Sequence, residues 1–95
     1  MQMNEPIAVR VLEEIRGVQK VYRFANGYGA SVIKGEHTYG GSDNLWELAV
    51  IKYKSNDSDD LDYELCYKTP ITEDVCGHMS DEEVEATINR IKELP

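Results

Sequence analysis

The stretch that decides the fold is the longest apolar run of the chain, Leu45-Trp46-Glu47-Leu48-Ala49-Val50-Ile51-Lys52-Tyr53. In a β-strand successive side chains face opposite ways, so this run has two faces. One face carries Trp46, Leu48 and Val50, and the other carries Ala49, Ile51 and Tyr53. Because both faces are mostly apolar, the pattern predicts an interior strand rather than an edge strand. Trp46, the single tryptophan, is predicted to anchor the core.

Two further strands are predicted before this run and one after it. Segments 18–25 and 30–34 flank Asn26-Gly27-Tyr28-Gly29, and Asn and Gly tolerate the positive φ of a tight hairpin turn. Beyond an acidic turn, segment 61–68 alternates as a strand does. Its predicted core-facing residues are Leu61, Tyr63, Leu65 and Tyr67.

Helices are predicted at both ends of the chain. At the N-terminus, Asn4-Glu5-Pro6 is typical of a helix start and Gly17 of a helix end, although the β-branched residues of 7–12 also favour a strand. At the C-terminus, Ser80 and Glu83 form a capping box that opens a helix over about 81–94. Its apolar stripe is Val84, Ile88 and Ile91. A short helical turn is predicted over 71–78.

These elements together predict one α+β domain over residues 1–95. The expected architecture has two layers: an antiparallel β-meander of three to four strands, and the N-terminal and C-terminal helices packed on one face of it. The length and the 41% hydrophobic content suffice for a single core.

The net charge of the chain limits the classes of partner that it is expected to bind. Its net charge of −8 argues against direct binding to nucleic acid or to anionic membranes, since both need clustered Lys and Arg. Residues 1–54 hold seven Lys/Arg and six Asp/Glu, whereas residues 55–95 hold three and twelve, so the acidity lies in the C-terminal part. Without an apolar span or a basic-apolar leader, a cytoplasmic protein is expected.

Three sets of residues carry side chains that are typical of metal, catalytic or nucleotide sites. Cys66, Cys76 and His78, with His37 upstream, lack the close ligand pairs of zinc sites, and a Cys and a His two residues apart rarely meet as nucleophile and base. The acidic residues of 57–64 lack the Gly and the final Glu of an EF-hand loop. The Gly-containing loops match no nucleotide-binding motif. We therefore expect no catalytic residue, no metal and no cofactor.

Two candidate partner-binding surfaces remain. One consists of aromatic residues in Gly-bearing loops, Tyr28, His37 and Tyr39, where large rings are not needed to fill a core. The other is acidic, and its carboxylates could imitate the phosphate charges sought by nucleic-acid-binding proteins. Its members are Asp57, Asp59, Asp60 and Asp62, then Glu73 and Asp74, and Asp81, Glu82, Glu83 and Glu85 of the last helix.

Several short motifs resemble those of a family of small, uncharacterised proteins encoded by bacteriophages and prophages. The similar stretches are Tyr22-Arg23-Phe24, Asn26-Gly27-Tyr28-Gly29-Ala30-Ser31-Val32, Tyr39-Gly40, Leu45-Trp46-Glu47-Leu48-Ala49-Val50, and Thr69-Pro70-Ile71-Thr72 with Asp74-Val75 and Gly77. The resemblance implies a bacterial host cytoplasm and carries no known activity. Together with the net negative charge, this resemblance predicts a non-enzymatic accessory protein that binds a host or phage protein. It could be an inhibitor or DNA mimic aimed at a host nucleic-acid-binding protein; the alternative is a structural or assembly component of the phage particle.

Overall fold

The computed structural model describes residues 4–36, 45–55, 57, 59–66 and 76–94. Over these residues the chain forms six strands and one α-helix, with a 3-10 turn at Glu13–Ile15. The elements are β1 Ala8–Leu12, β2 Gly17–Arg23, β3 Tyr28–Gly35, β4 Trp46–Tyr53, β5 Tyr63–Leu65, β6 Cys76–Met79 and α1 Asp81–Lys92.

All six strands belong to one antiparallel sheet. Strands β1 to β4 lie side by side in chain order, and β5 and β6 share the far side of β4. β5 pairs with the end of β4 at Tyr53, whereas β6 pairs with its beginning at Trp46. The prediction that the run around Trp46 is an interior strand is therefore confirmed.

The main core lies between α1 and one face of the sheet, which we call the helix face. The stripe of Val84, Ile88 and Ile91 on α1 is buried there, and the helix packs against β3, β4 and β6. Trp46 is 7% exposed and belongs to this cluster, as predicted. The sheet residues of the cluster are Tyr22, Ala30, Val32, Trp46, Leu48, Val50 and Met79.

The opposite face of the sheet, which we call the open face, has no helix over it among the described residues. A small cluster of Val21, Ile51 and Tyr53 is buried here, with Ala8 and Tyr63 packed against it. The two apolar sides of β4 therefore serve two separate clusters. This agrees with the alternation read from residues 45–53.

The predicted N-terminal helix is wrong. Residues 8–12 form β1, paired with β2 so that Ala8 lies opposite Val21, and the strand alternative for 7–12 is the correct one. β-branched side chains fit this ladder better than a helix. Gly17 opens β2 rather than ending a helix. It lies opposite Gly35, and a Cβ at position 17 would be 1.9 Å from the carbonyl oxygen of Lys34, so close packing of the backbones requires glycine.

Two other predictions need correction. The helical turn over 71–78 is wrong for its last residues, since β6 begins at Cys76; residues 71–75 lie outside the described part of the chain. β5 covers three residues of the predicted strand 61–68. Leu61 and Leu65 are exposed rather than buried. Leu65 lies on the open face at the outer edge of the sheet, and Leu61 lies in the turn before β5. Tyr67 lies outside the described residues.

The hairpin and the C-terminal helix were predicted correctly. β2 and β3 pair directly, with Arg23 opposite Gly29, and Gly27 in the connecting loop has a φ of 87°. In α1 the Glu83 amide donates to Ser80 Oγ at 3.2 Å, and the Ser80 amide donates to Glu83 Oε1 at 3.1 Å. In the described part of the chain the fold is thus a six-stranded sheet with one α-helix, where two helices and three to four strands were expected.

Candidate functional site

The acidic turn between β4 and β5, with Asp57, Asp59, Asp60 and Asp62, is the first candidate surface. All four side chains are exposed. The turn is closed by a hydrogen bond from the Asp62 amide to the Asp59 carbonyl at 3.0 Å. Among the described residues, the carboxylates of Asp57, Asp59 and Asp62 have no hydrogen-bond or ion-pair partner. They are therefore available to a cationic ligand.

Arg23 holds this turn against the sheet. Its guanidinium donates from Nη1 to Asp60 Oδ1 at 3.1 Å and from Nη2 to the Ser55 carbonyl at 2.9 Å. The same group lies 4.1 Å from the centre of the Tyr53 ring. Asp60 is thus partly neutralised and has a positioning role, unlike its neighbours in the turn.

Tyr53 ties the turn to the open-face cluster. Its hydroxyl donates to the Asp60 carbonyl at 2.5 Å, and its ring meets that of Tyr63 edge-on at 5.8 Å between centroids. Burial raises the pKa of Tyr53 to about 12, with Arg23 opposing the shift and Asp60 and Tyr63 adding to it. The hydroxyl therefore stays protonated and keeps donating at physiological pH.

An open groove of about 620 Å³ lies beside the acidic turn. It is lined by Ala8 of β1 and by Asp59, Asp60, Leu61 and Asp62. Leu61 is 46% exposed, so the groove offers an apolar surface next to carboxylates. This combination suits a Lys or Arg side chain, whose stem is apolar and whose head is cationic.

The acidic residues of α1 lie elsewhere. Trp46 Nε1 donates to Asp81 Oδ1 at 2.6 Å, so Asp81 is at the end of β4 opposite to Tyr53. An eight-residue strand separates its two ends by about 23 Å. Asp81 and Glu82 therefore do not form one surface with the 57–62 turn.

Glu85 has a structural role. Its Oε2 accepts from the Asn4 amide at 3.1 Å and from Asn4 Nδ2 at 2.8 Å, which fixes the segment before β1 to the helix. Burial, and then the negative charge of Glu85, raise the pKa of Tyr22 beneath it. Glu82 is exposed, and no partner is found for its carboxylate within the described ranges.

The predicted aromatic loop surface is not assembled by the described residues. Tyr28 begins β3 instead of lying in a loop, is half-buried against the helix-face core, and has Lys52 Nζ 5.4 Å from its ring centre. His37 and Tyr39 lie outside the described residues.

The residues considered for chemistry also receive positions. Cys66 is half-buried against the helix-face core, and its amide donates to the Val50 carbonyl at 2.8 Å. His78 is exposed in β6 with a φ of 57°, and Cys76 pairs with Leu48 through the backbone. Within the described part of the chain, no group of three His, Cys, Asp or Glu residues is arranged to hold a metal ion.

Two features were not found from the sequence. The buried Gln19 joins Arg10, Ser31 and Tyr63 in one polar network on the open face. The lysines Lys20 and Lys34 both lie over Trp46, at 4.6 and 4.2 Å from the ring centre. Cross-strand register determines both. Register depends on the length of the hairpin loop, and the Asn26-Gly27-Tyr28-Gly29 motif fits a loop of two residues or of four.

Comparison with known proteins adds no relative: no family model, no curated protein and no solved structure matches the chain. Among the described residues, no helix has the length and apolar character needed to cross a membrane.

Proposed function

We propose that this protein is a non-enzymatic binding protein that takes a basic segment of a partner protein at the acidic turn. The observation that carries the proposal is a set of exposed carboxylates that have no partner among the described residues: Asp59 and Asp62, which line the groove, and Asp57 in the same turn. Arg23 fixes the turn through Asp60, so the neighbouring charges are pre-positioned and little ordering entropy is lost on binding.

The recognition chemistry is that of a Lys or Arg side chain. Its aliphatic stem lies on Leu61 and Ala8, and its cationic head meets the carboxylates of Asp59 and Asp62. The net charge of −8 steers basic partners toward the protein, and this attraction weakens as salt is added.

The class of partner follows from the same chemistry. Nucleic-acid-binding proteins carry clustered Lys and Arg, so they are the basic proteins that an acidic groove fits. The resemblance to phage and prophage proteins supports a host nucleic-acid-binding protein as the target, in the bacterial cytoplasm. In that setting the protein acts as an inhibitor that occupies part of the DNA-binding surface.

The direct test neutralises the three carboxylates without changing side-chain size. Asp57→Asn, Asp59→Asn and Asp62→Asn are combined, and binding of a fluorescent Lys/Arg-rich peptide is followed by anisotropy. At about 0.2–1 kcal/mol for each exposed pair, we expect about a 3- to 150-fold loss of affinity. The wild-type affinity should also fall steeply as salt rises.

A matched control separates the site from net charge. Glu13→Gln, Glu14→Gln and Glu82→Gln remove three exposed carboxylates outside the groove and change the charge equally. This variant should bind almost as wild type. Equal losses in the two triple variants would overturn the proposed site.

The partner is sought with the tagged protein in bacterial lysate. Washes at low and high salt precede identification by mass spectrometry. A nucleic-acid-binding protein that is retained at low salt, and lost with the triple Asn variant, is the expected result. Retention of no such protein would contradict the inhibitor role.

The second candidate function is a structural or assembly component of a phage particle. The observation that favours it is the exposed apolar side of β1, since assembly proteins associate through such surfaces. This role predicts co-purification with particles rather than with a host protein.

A further inference from the structure

Strand β1 is the long free edge of the sheet. It pairs with β2 on one side, and no other described strand pairs with it. The opposite edge is divided between two short strands, β5 and β6. An edge strand offers a row of backbone N–H and C=O groups to another chain, and proteins usually protect such a row with charges or cover.

The side chains of β1 on the helix face are apolar and exposed. Val9 is 62% exposed and Val11 is 77% exposed; Ile7, just before the strand, is 41% exposed. We call these three residues the β1 stripe. The helix does not cover it, because α1 packs on β3, β4 and β6.

The other face of β1 is occupied. Ala8 packs on the open-face cluster, and Arg10 donates to Gln19 Oε1 from Nε at 2.9 Å and from Nη2 at 2.5 Å. These contacts hold β1 in the sheet. Its apolar stripe and its outer row of backbone N–H and C=O groups are left exposed to a partner. This arrangement suits a partner strand with a matching apolar face.

We propose that this edge binds a second copy of the same chain, β1 against β1, in an antiparallel two-fold pair with Val9 opposite Val9. The pair makes one continuous sheet of the two molecules. The proposal does not depend on binding at the acidic turn, although Ala8 of β1 also lines the groove beside that turn.

The register follows from self-complementarity. A two-fold antiparallel pair that keeps both stripes on one face must place one residue opposite its own copy. With Val9 at the axis, Ile7 meets Val11 of the second copy, so the whole stripe is apolar across the junction. Placing Arg10 at the axis would oppose two guanidinium groups, which is unfavourable. Placing Val11 there would set Val9 of the stripe against Glu13. With Val9 at the axis, Glu5 faces Glu13 beyond each end of the strand, and added salt screens this repulsion.

The strand is short, so the dimer is expected to be weak. Interfaces that bury less than about 1,200 Å² in total belong to transient complexes. The association has to be followed up to a protein concentration of about 500 µM. Backbone pairing and apolar contacts are little screened, so the dimer should persist in salt that abolishes binding to the acidic turn.

Disulfide trapping tests the register. In antiparallel strands directly opposed residues have Cα atoms about 4.5–5.5 Å apart, within the range that a disulfide spans. Oxidised Val9→Cys should give a dimer linked through position 9 in both copies, located by mass spectrometry of the peptides. Val11→Cys is the matched control, since its two copies would lie four residues out of register. Oxidised wild-type protein is the control for any disulfide that forms through Cys66 or Cys76.

Sedimentation tests the dimer without new thiols. Wild type should show a mass that rises with concentration, and Val9→Lys should remain a monomer. Leu65→Lys places the same charge on the opposite edge, at a residue 50% exposed, and should associate as wild type does. Circular dichroism confirms that each variant is folded.

Three results would overturn the proposal. They are a wild type that stays monomeric at the highest concentration, a Val9→Lys variant that still dimerises, or trapping at position 11 that equals that at position 9. Loss of basic-peptide binding in the triple Asn variant, with dimerisation intact, would leave each surface with its own role.

Discussion

Gln19 is the polar side chain that the sheet buries most completely among the described residues, at 5% exposure. Its Nε2 donates to Ser31 Oγ at 2.8 Å and to the Tyr63 hydroxyl at 3.0 Å, while its Oε1 accepts from Arg10. All of its hydrogen-bonding groups are thus satisfied inside the open-face cluster. A satisfied network of this kind fixes the register of β1, β2, β3 and β5.

Replacing Gln19 by Leu tests that network. The apolar side chain keeps the volume but leaves Arg10, Ser31 and Tyr63 without their partner, so we expect a loss of about 1–3 kcal/mol in the free energy of unfolding. Urea denaturation measures it. Tyr63→Phe removes one hydrogen bond and should cost less, about 0.5–1.5 kcal/mol. A Gln19→Leu protein as stable as wild type would show that the network contributes nothing.

Tyr53 gives the protein a pH dependence in alkali. Burial raises its folded pKa to about 12, above its usual value near 10, so the folded state holds the proton more tightly than the unfolded state does. The stabilisation is complete below pH 10 and is lost as pH rises from about 10 to about 12. Chemical denaturation at several alkaline pH values should show this decline. In Tyr53→Phe the decline should be smaller, with Tyr22 accounting for part of the remainder; an unchanged decline would contradict the assignment.

At the scale of elements, α1 is fixed at both ends by side chains. Ser80 and Glu83 cap its start. Its end is held by Asn26 of the β2–β3 loop, whose Nδ2 donates to the carbonyls of Ile91 at 2.9 Å and Leu94 at 3.0 Å. The Ile91 carbonyl also accepts from the Leu94 amide at 3.1 Å, so Asn26 adds donors from the hairpin at the end of the helix, where regular i+4 amides are lacking.

Asn26→Ala should therefore loosen the last turn of α1. We expect a loss of about 1–3 kcal/mol, since several hydrogen bonds disappear together. Hydrogen exchange would locate the effect in residues 88–94, because the last turn opens more often. Ser80→Ala, which costs about 1 kcal/mol, is the counterpart at the first turn. Equal exchange at both ends in Asn26→Ala would disprove a local role for the loop.

Elements with a local signal were predictable. The capping box of α1, the Asn26-Gly27 hairpin and the apolar run of β4 are each read within a few residues. β1 was misassigned because Pro6 and Gly17 imitate helix ends, whereas its β-branched residues pair with a strand that follows in the chain. β6 was missed because its partner, the beginning of β4, is distant in sequence.

At the scale of the molecule, the sequence predicted the negative charge of the candidate site but not the groove that gives the site its shape. The carboxylates of 57–62 are neighbours in the sequence, so their cluster was visible. The groove needs Ala8 from the other end of the sheet, and the turn needs Arg23 from β2; long-range pairing brings both there. Asp81 and Glu85 were included in the predicted surface because of their charge alone. In the fold Asp81 accepts a hydrogen bond from Trp46, and Glu85 accepts one from Asn4.

Because α1 follows the described strands in the chain, the ribosome makes the sheet before it makes the helix that covers it. The four-stranded meander β1 to β4 is complete once Tyr53 has been translated, but about 40 residues separate it from the end of the helix. At 5–20 residues per second, the ribosome takes about 2–8 s to add them. During that interval the nascent chain carries Tyr22, Leu48 and Val50 without their cover. The helix that shields this apolar surface is therefore translated after every strand that it covers.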